Sequence, residues 1–133
     1  MSYFVAYLSV LIVFGGLDAI WLSKMGPLLY RPTLGEILAP RPRLAPAIAF
    51  YLTYPVGIVV FAVVPALHSG STASAFAMGA LFGAIAYATY DLTNYATIRI
   101  WTVRITAVDI IYGAFASAVA AVAAVALVRL ITA

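Results

Sequence analysis

The sequence predicts an all-α polytopic membrane protein, a four-transmembrane-helix bundle with a proline-rich loop on its basic side. Three observations carry that prediction. Of 133 residues, 66% are hydrophobic and 8% charged, and the mean hydropathy is +1.13; a soluble domain carries about 25% charged residues. The apolar residues fall into four runs, near 3–22, 45–67, 73–96 and 105–131, each long enough for a bilayer core that needs about 20 residues. Six basic side chains lie in two connections: Lys24, Arg31, Arg41 and Arg43 in the first, Arg99 and Arg104 in the third. The opposite side has only Arg129. This bias predicts cytoplasmic connections and an N-out, C-out topology.

The first run, Tyr3 to Leu22, is broken only by Asp18, and Gly15-Gly16 offers a neighbouring backbone a close approach. The connection KMGPLLYRPTLGEILAPRPRLAP follows, and its five prolines argue against a continuous helix. Within it Thr33 and Glu36 have capping-box spacing, which predicts a short interfacial helix near 33–39. The second run opens on Pro46 and contains Pro55, which should free the Tyr51 carbonyl and kink the helix near 51–55. HSGSTAS (68–74) reads as a short polar loop. Ala75, Gly79 and Gly83 in the third run form a small-xxx-small stripe for close packing. TIRIWTVR (97–104) has an interfacial anchor pattern around Trp101. The fourth run begins near Ile105 and becomes alanine-rich after Gly113.

Composition also narrows the chemistry. Without cysteine there is no disulfide, thiolate metal site or Cys nucleophile. A single histidine, His68, argues against an imidazole metal site, and no cofactor or metal is predicted. The net charge of +3 is placed for topology, so no nucleic-acid partner is expected. The amino-terminal run has no basic region or small-residue cleavage signal, so it reads as a span rather than a signal peptide. No nucleophile motif or phosphate-binding glycine loop is found, and the sequence leaves open whether the chain is an enzyme.

What remains is a set of polar residues at membrane depth. Tyr87, Asp91 and Asn94 in YATYDLTN are spaced i, i+4, i+7 and share one helix face. Asp18 lies in the first span beside Trp21, and Asp109 in the fourth beside Tyr112. At 1.5 Å per residue the three acids lie within roughly 8–12 Å of the same membrane boundary, a layer that Tyr51 and Tyr54 also reach. A charged side chain at mid-helix costs about 2.5–3.5 kcal/mol on insertion scales. Asp18 and Asp91 are therefore expected to meet across a helix interface, with one of them protonated or paired to a base such as Lys24 or Arg99. Asp109 near its helix start, with Arg104 close by, also suits a structural role. The candidate ligand-binding set is Asp18, Trp21, Tyr54, Tyr87, Asp91, Asn94, Asp109 and Tyr112.

LDAIWL (17–22), YP (54–55), YDLTNYATI (90–98) and DIIYG (109–113) resemble a family of small four-span bacterial membrane proteins, catalogued as a domain of unknown function. The resemblance is nearly full length. It implies the fold and a bacterial inner-membrane location but no activity. The chain is also similar to small multidrug exporters, four-span proteins with one acid in the first helix; the long loop and two further acids depart from them. The reading is thus a protein that binds or processes a small amphiphilic, lipid-like molecule at an inner-leaflet polar pocket. The alternatives are a proton- or cation-coupled transporter and an accessory subunit of a membrane complex. Membrane lipid and further copies of the chain, through its small-residue faces, are the expected partners.

Overall fold

The computed structural model describes residues 2–132. It contains four long apolar helices, α1 (Ser2–Leu34), α2 (Leu44–Ser69), α3 (Thr72–Thr97) and α4 (Val103–Thr132), and no strand among the described residues. Successive helices run antiparallel. The start of α1, the end of α4 and the α2–α3 turn lie at one end of the bundle, called here the terminal end. The α1–α2 and α3–α4 connections lie at the other, the loop end. With no water to drive the helices together, packing and polar contacts must hold them.

The α3–α4 pair is the closest packed. A Cβ added to Gly79 would come within 2.9 Å of the Ala118 Cα and the Ser117 carbonyl oxygen, and one on Gly83 within 2.8 Å of the Ser117 Cβ. Ala75, Gly79 and Gly83 are all buried, so the predicted stripe is the surface on which α4 lies. At Gly113 the position of a Cβ is taken by the ring of Tyr87. Gly15 and Gly16 are different: a Cβ on either meets nothing within 4 Å. The close approach expected there is absent because α1 packs through Ala6, Val10, Phe14 and Asp18 instead.

The turns follow local chemistry. Gly70, at φ 72°, takes the left-handed conformation that ends α2. Ser71 then accepts from the Ser74 N–H at 3.1 Å and caps α3. Thr102 accepts from the Ile105 N–H at 3.1 Å and starts α4.

The predictions from the prolines of the first connection need correction. Helix α1 does not stop at Leu22 but continues through Pro27 and Pro32 to Leu34. It does so through a wide π-helical turn, Gly26–Tyr30, followed by one α-helical turn, Arg31–Leu34. Each proline lies in the first turn of its segment, where the missing N–H matters least. Thr33 is therefore inside a helix rather than capping one, and 35–38 form only a turn, with Ile37 N–H donating to the Leu34 carbonyl at 2.9 Å. Only Pro40 and Pro42 remain in non-helical chain.

Helix α2 stays α-helical across Pro55 and widens later, at Val59–Val63, just ahead of Pro65, whose absent N–H an α-helical turn could not use. The phenol of Tyr7 donates at 2.7 Å to the carbonyl of Leu52, one residue beyond the carbonyl expected to need a donor. Tyr7→Phe should lower stability by about 1 kcal/mol, the net worth of such a bond; thermal unfolding in detergent measures it.

The interior divides into two halves. Toward the terminal end, Ala6, Val10, Ala62, Val63, Ala66, Ala120, Ala121, Ala124, Val125 and Val128 fill the space between helices. Toward the loop end the buried residues turn polar and aromatic. Large apolar side chains such as Ile12, Phe61, Leu81, Ile85 and Phe115 face outward and supply the lipid-facing surface of a multi-pass membrane protein.

Candidate functional site

Three carboxyls from three helices lie in the loop-end half, and each is almost wholly buried: Asp18 at 6% exposure, Asp91 at 0% and Asp109 at 8%. Their partners are mainly phenols. Asp18 accepts on Oδ1 from Tyr112 at 2.9 Å and on Oδ2 from Tyr51, joining α1, α2 and α4 at one point. Asp109 accepts on Oδ1 from Tyr30, whose oxygen in turn accepts from Trp21 Nε1 at 3.0 Å. The extension of α1 past the prolines is what brings Tyr30 to this place.

Asp91 is the exception. Among the described residues, no hydroxyl, amide or base donates to its carboxyl, and the nearest acid is Asp109. The expected Asp18–Asp91 pair is thus not formed: the phenols occupy Asp18, and the adjacency of α3 and α4 puts Asp91 against Asp109. Neither Lys24 nor Arg99 serves as a partner; both are exposed.

Aromatic rings line the space around the acids. Trp21 stacks on Tyr112 with centroids 4.1 Å apart and planes 11° apart. Tyr87 meets Tyr112 edge-to-face at 6.1 Å and Tyr54 at 6.2 Å. The Tyr54 hydroxyl pairs with Ser117 Oγ at 2.8 Å. Trp101, buried against Leu29, Leu34 and Ile105, meets Tyr90 edge-to-face at 5.6 Å.

These rings enclose two adjoining cavities. The larger, about 840 Å³, lies beneath the 35–42 segment, with Asp18, Trp21, Tyr30, Tyr87, Asp109 and Tyr112 deepest and Arg31 at its rim. The smaller, about 430 Å³, lies between α2 and α3 and is lined by Phe50, Tyr54, Ala86, Tyr87, Tyr90 and Asp109. Tyr87, Tyr90 and Asp109 border both. Phe50 and Tyr90 are exposed on the bundle's side, so the smaller cavity opens laterally.

Of the sequence-predicted residues, Asp18, Trp21, Tyr87, Asp109 and Tyr112 line the larger cavity, and Tyr54, Tyr87 and Asp109 the smaller. Asp91 stands behind Asp109. Asn94 lines neither cavity; it shares a face with Tyr87 and Asp91 but lies beyond them, one turn from the end of α3. Tyr30 was hidden from sequence reasoning inside a stretch that reads as loop, and Tyr90 by its position one residue off the Tyr87–Asp91 face. Among the described residues, no group of three or more His, Cys, Asp or Glu side chains is arranged to hold a metal ion.

Comparison with curated proteins and with solved structures found no match. The family model described as predicted membrane protein (DUF2177) matches residues 3–126, almost the whole length, and the chain belongs to that family.

Proposed function

We propose that the protein binds one amphiphilic, lipid-like molecule, its polar part in the cavity beneath residues 35–42 and its apolar part leaving between α2 and α3. The observation that carries this reading is the pair of adjoining cavities, the larger holding Asp18, Asp109 and the phenols of Tyr30 and Tyr112, the smaller opening at the side of the bundle between α2 and α3. A pocket of several hundred Å³ with a few convergent polar groups is the usual form of a small-molecule site. The apolar packing of the terminal-end half weighs against transport, because among the described residues its only buried polar side chain is Ser9, which bonds back to the Val5 carbonyl. The six-to-one distribution of basic residues supports an N-out, C-out orientation in the inner membrane, which puts the pocket in the inner leaflet.

Two experiments test this reading. Ala86→Trp should fill the opening between α2 and α3. Native mass spectrometry of protein extracted in mild detergent should then show a lipid-sized adduct on the wild type and about tenfold less on the variant. Equal retention by both proteins would remove the proposed path. A reporter that fluoresces only in the cytoplasm, fused to the C-terminus, should stay dark; a bright fusion would reverse the orientation.

A further inference from the structure

The acids at the base of the larger cavity lack positive charge. Among the described residues, no lysine, arginine or histidine donates to Asp18, Asp91 or Asp109; the partners of Asp18 and Asp109 are the phenols of Tyr30, Tyr51 and Tyr112, and the Asp91 carboxyl has none. Arg31, the one basic residue on the lining, is exposed at the rim. Buried acids are ordinarily paired, so the cavity is short of a cation.

The walls indicate which kind. Trp21 and Tyr112 form one stacked aromatic surface, and the Tyr87 ring stands edge-on to it. Rings within about 6 Å of a cation attract it, most strongly where water is excluded. The donors beside the acids are already used: Tyr112 donates to Asp18, Tyr30 to Asp109 and Trp21 to Tyr30. An anionic headgroup there would face carboxyls; the unpaired Trp101 Nε1–H lies on another part of the lining, packed with Leu29, Leu34 and Ile105. A metal ion prefers oxygen or nitrogen ligands to ring faces. An organic ammonium group satisfies both the charge and the rings.

We propose that the polar end of the bound amphiphile is an ammonium group, held between the carboxyls of Asp18 and Asp109 and the rings of Trp21, Tyr87 and Tyr112. The proposal rests on the amphiphile reading above and specifies its headgroup. Residues 35–42 cover it, and the attached chains follow the side opening past Ala86.

The test uses the whole protein in nonionic maltoside micelles. Trp101→Phe leaves Trp21 as the only indole, since the chain has two tryptophans. Its fluorescence is titrated with dioctanoyl lipids that differ only in headgroup (trimethylammonium, phosphoglycerol or free hydroxyl) and with tetramethylammonium, which has no chain. The trimethylammonium lipid should saturate the signal at least about tenfold more tightly than the other two lipids. Asp109→Asn should reduce that preference by about tenfold.

Equal or tighter binding of the phosphoglycerol or hydroxyl lipid would overturn the ammonium assignment and leave the amphiphile reading standing. Tetramethylammonium binding as tightly as the chained lipid would overturn the amphiphile reading and locate a soluble-amine site instead. Binding by none of the four would overturn both. Because the headgroup comparison is made on a background with every carboxyl intact, a folding defect in Asp109→Asn cannot mask the result.

Discussion

Gly83→Val should abolish assembly of the bundle, leaving little monodisperse protein on size-exclusion chromatography. The Cβ would fall within 2.8 Å of the Ser117 Cβ, and against the Gly113 carbonyl, at the tightest part of the α3–α4 contact. Overpacking a well-filled interior costs about 1–3 kcal/mol, occasionally more, and helices in lipid have no hydrophobic driving force to offset it. The neighbour that would have to move is backbone rather than a flexible side-chain tip. Gly15→Ala and Gly16→Ala provide the contrast. A methyl at either meets nothing within 4 Å, and alanine is favoured over glycine by about 0.5–1 kcal/mol inside a helix. These two should be neutral or slightly stabilising as isolated bundles in detergent. Destabilisation by either would mean that another surface packs on that face.

Asp18→Leu should produce the largest loss among the polar residues. It leaves the phenols of Tyr51 and Tyr112 without their shared acceptor, at about 1–3 kcal/mol for each hydroxyl left unpaired. Tyr51 is only half-buried and can turn toward the bilayer interface, so the lower half of that range applies to it. Asp18→Asn keeps one carbonyl oxygen as acceptor and should lose less. Thermal unfolding of the three proteins in one detergent should rank wild type above Asn and Asn above Leu. If leucine matched the wild type, Asp18 would not be the point that joins α1, α2 and α4.

The parts of this fold that could be read from the chain are those set by single-residue sterics or by hydropathy. Four apolar runs gave four spans, and Ala75, Gly79 and Gly83 marked the surface where α4 lies, because only small residues permit that approach. Proline was less transparent. Pro27 and Pro32 suggest an end to helix, but a proline in a first turn costs little, and the π turn at Gly26–Tyr30 with the α turn Arg31–Leu34 after it carries the chain past both. That single misreading hid Tyr30, and with it the partner of Asp109. Spacing along α3 correctly put Tyr87 and Asp91 on one face, yet it could not say how α1 and α4 rotate about their axes. Rotation decides that Asp91 faces Asp109 while Asp18 faces two phenols. Gly15-Gly16 has the composition of a contact surface and none of its contacts, since packing there is governed by Val10, Phe14 and Asp18 on other faces of the turn.

The central claim is that one amphiphile occupies both cavities at once, and an experimentally determined structure in lipid nanodiscs, at a resolution that shows acyl chains, tests it most directly. The account predicts continuous density from beside Asp109, past Tyr87 and Tyr90, and out between α2 and α3 at Ala86. A column of water running from the acids through the Ala62–Ala66 and Ala120–Val128 packing to the terminal end would contradict it and establish a transport path instead.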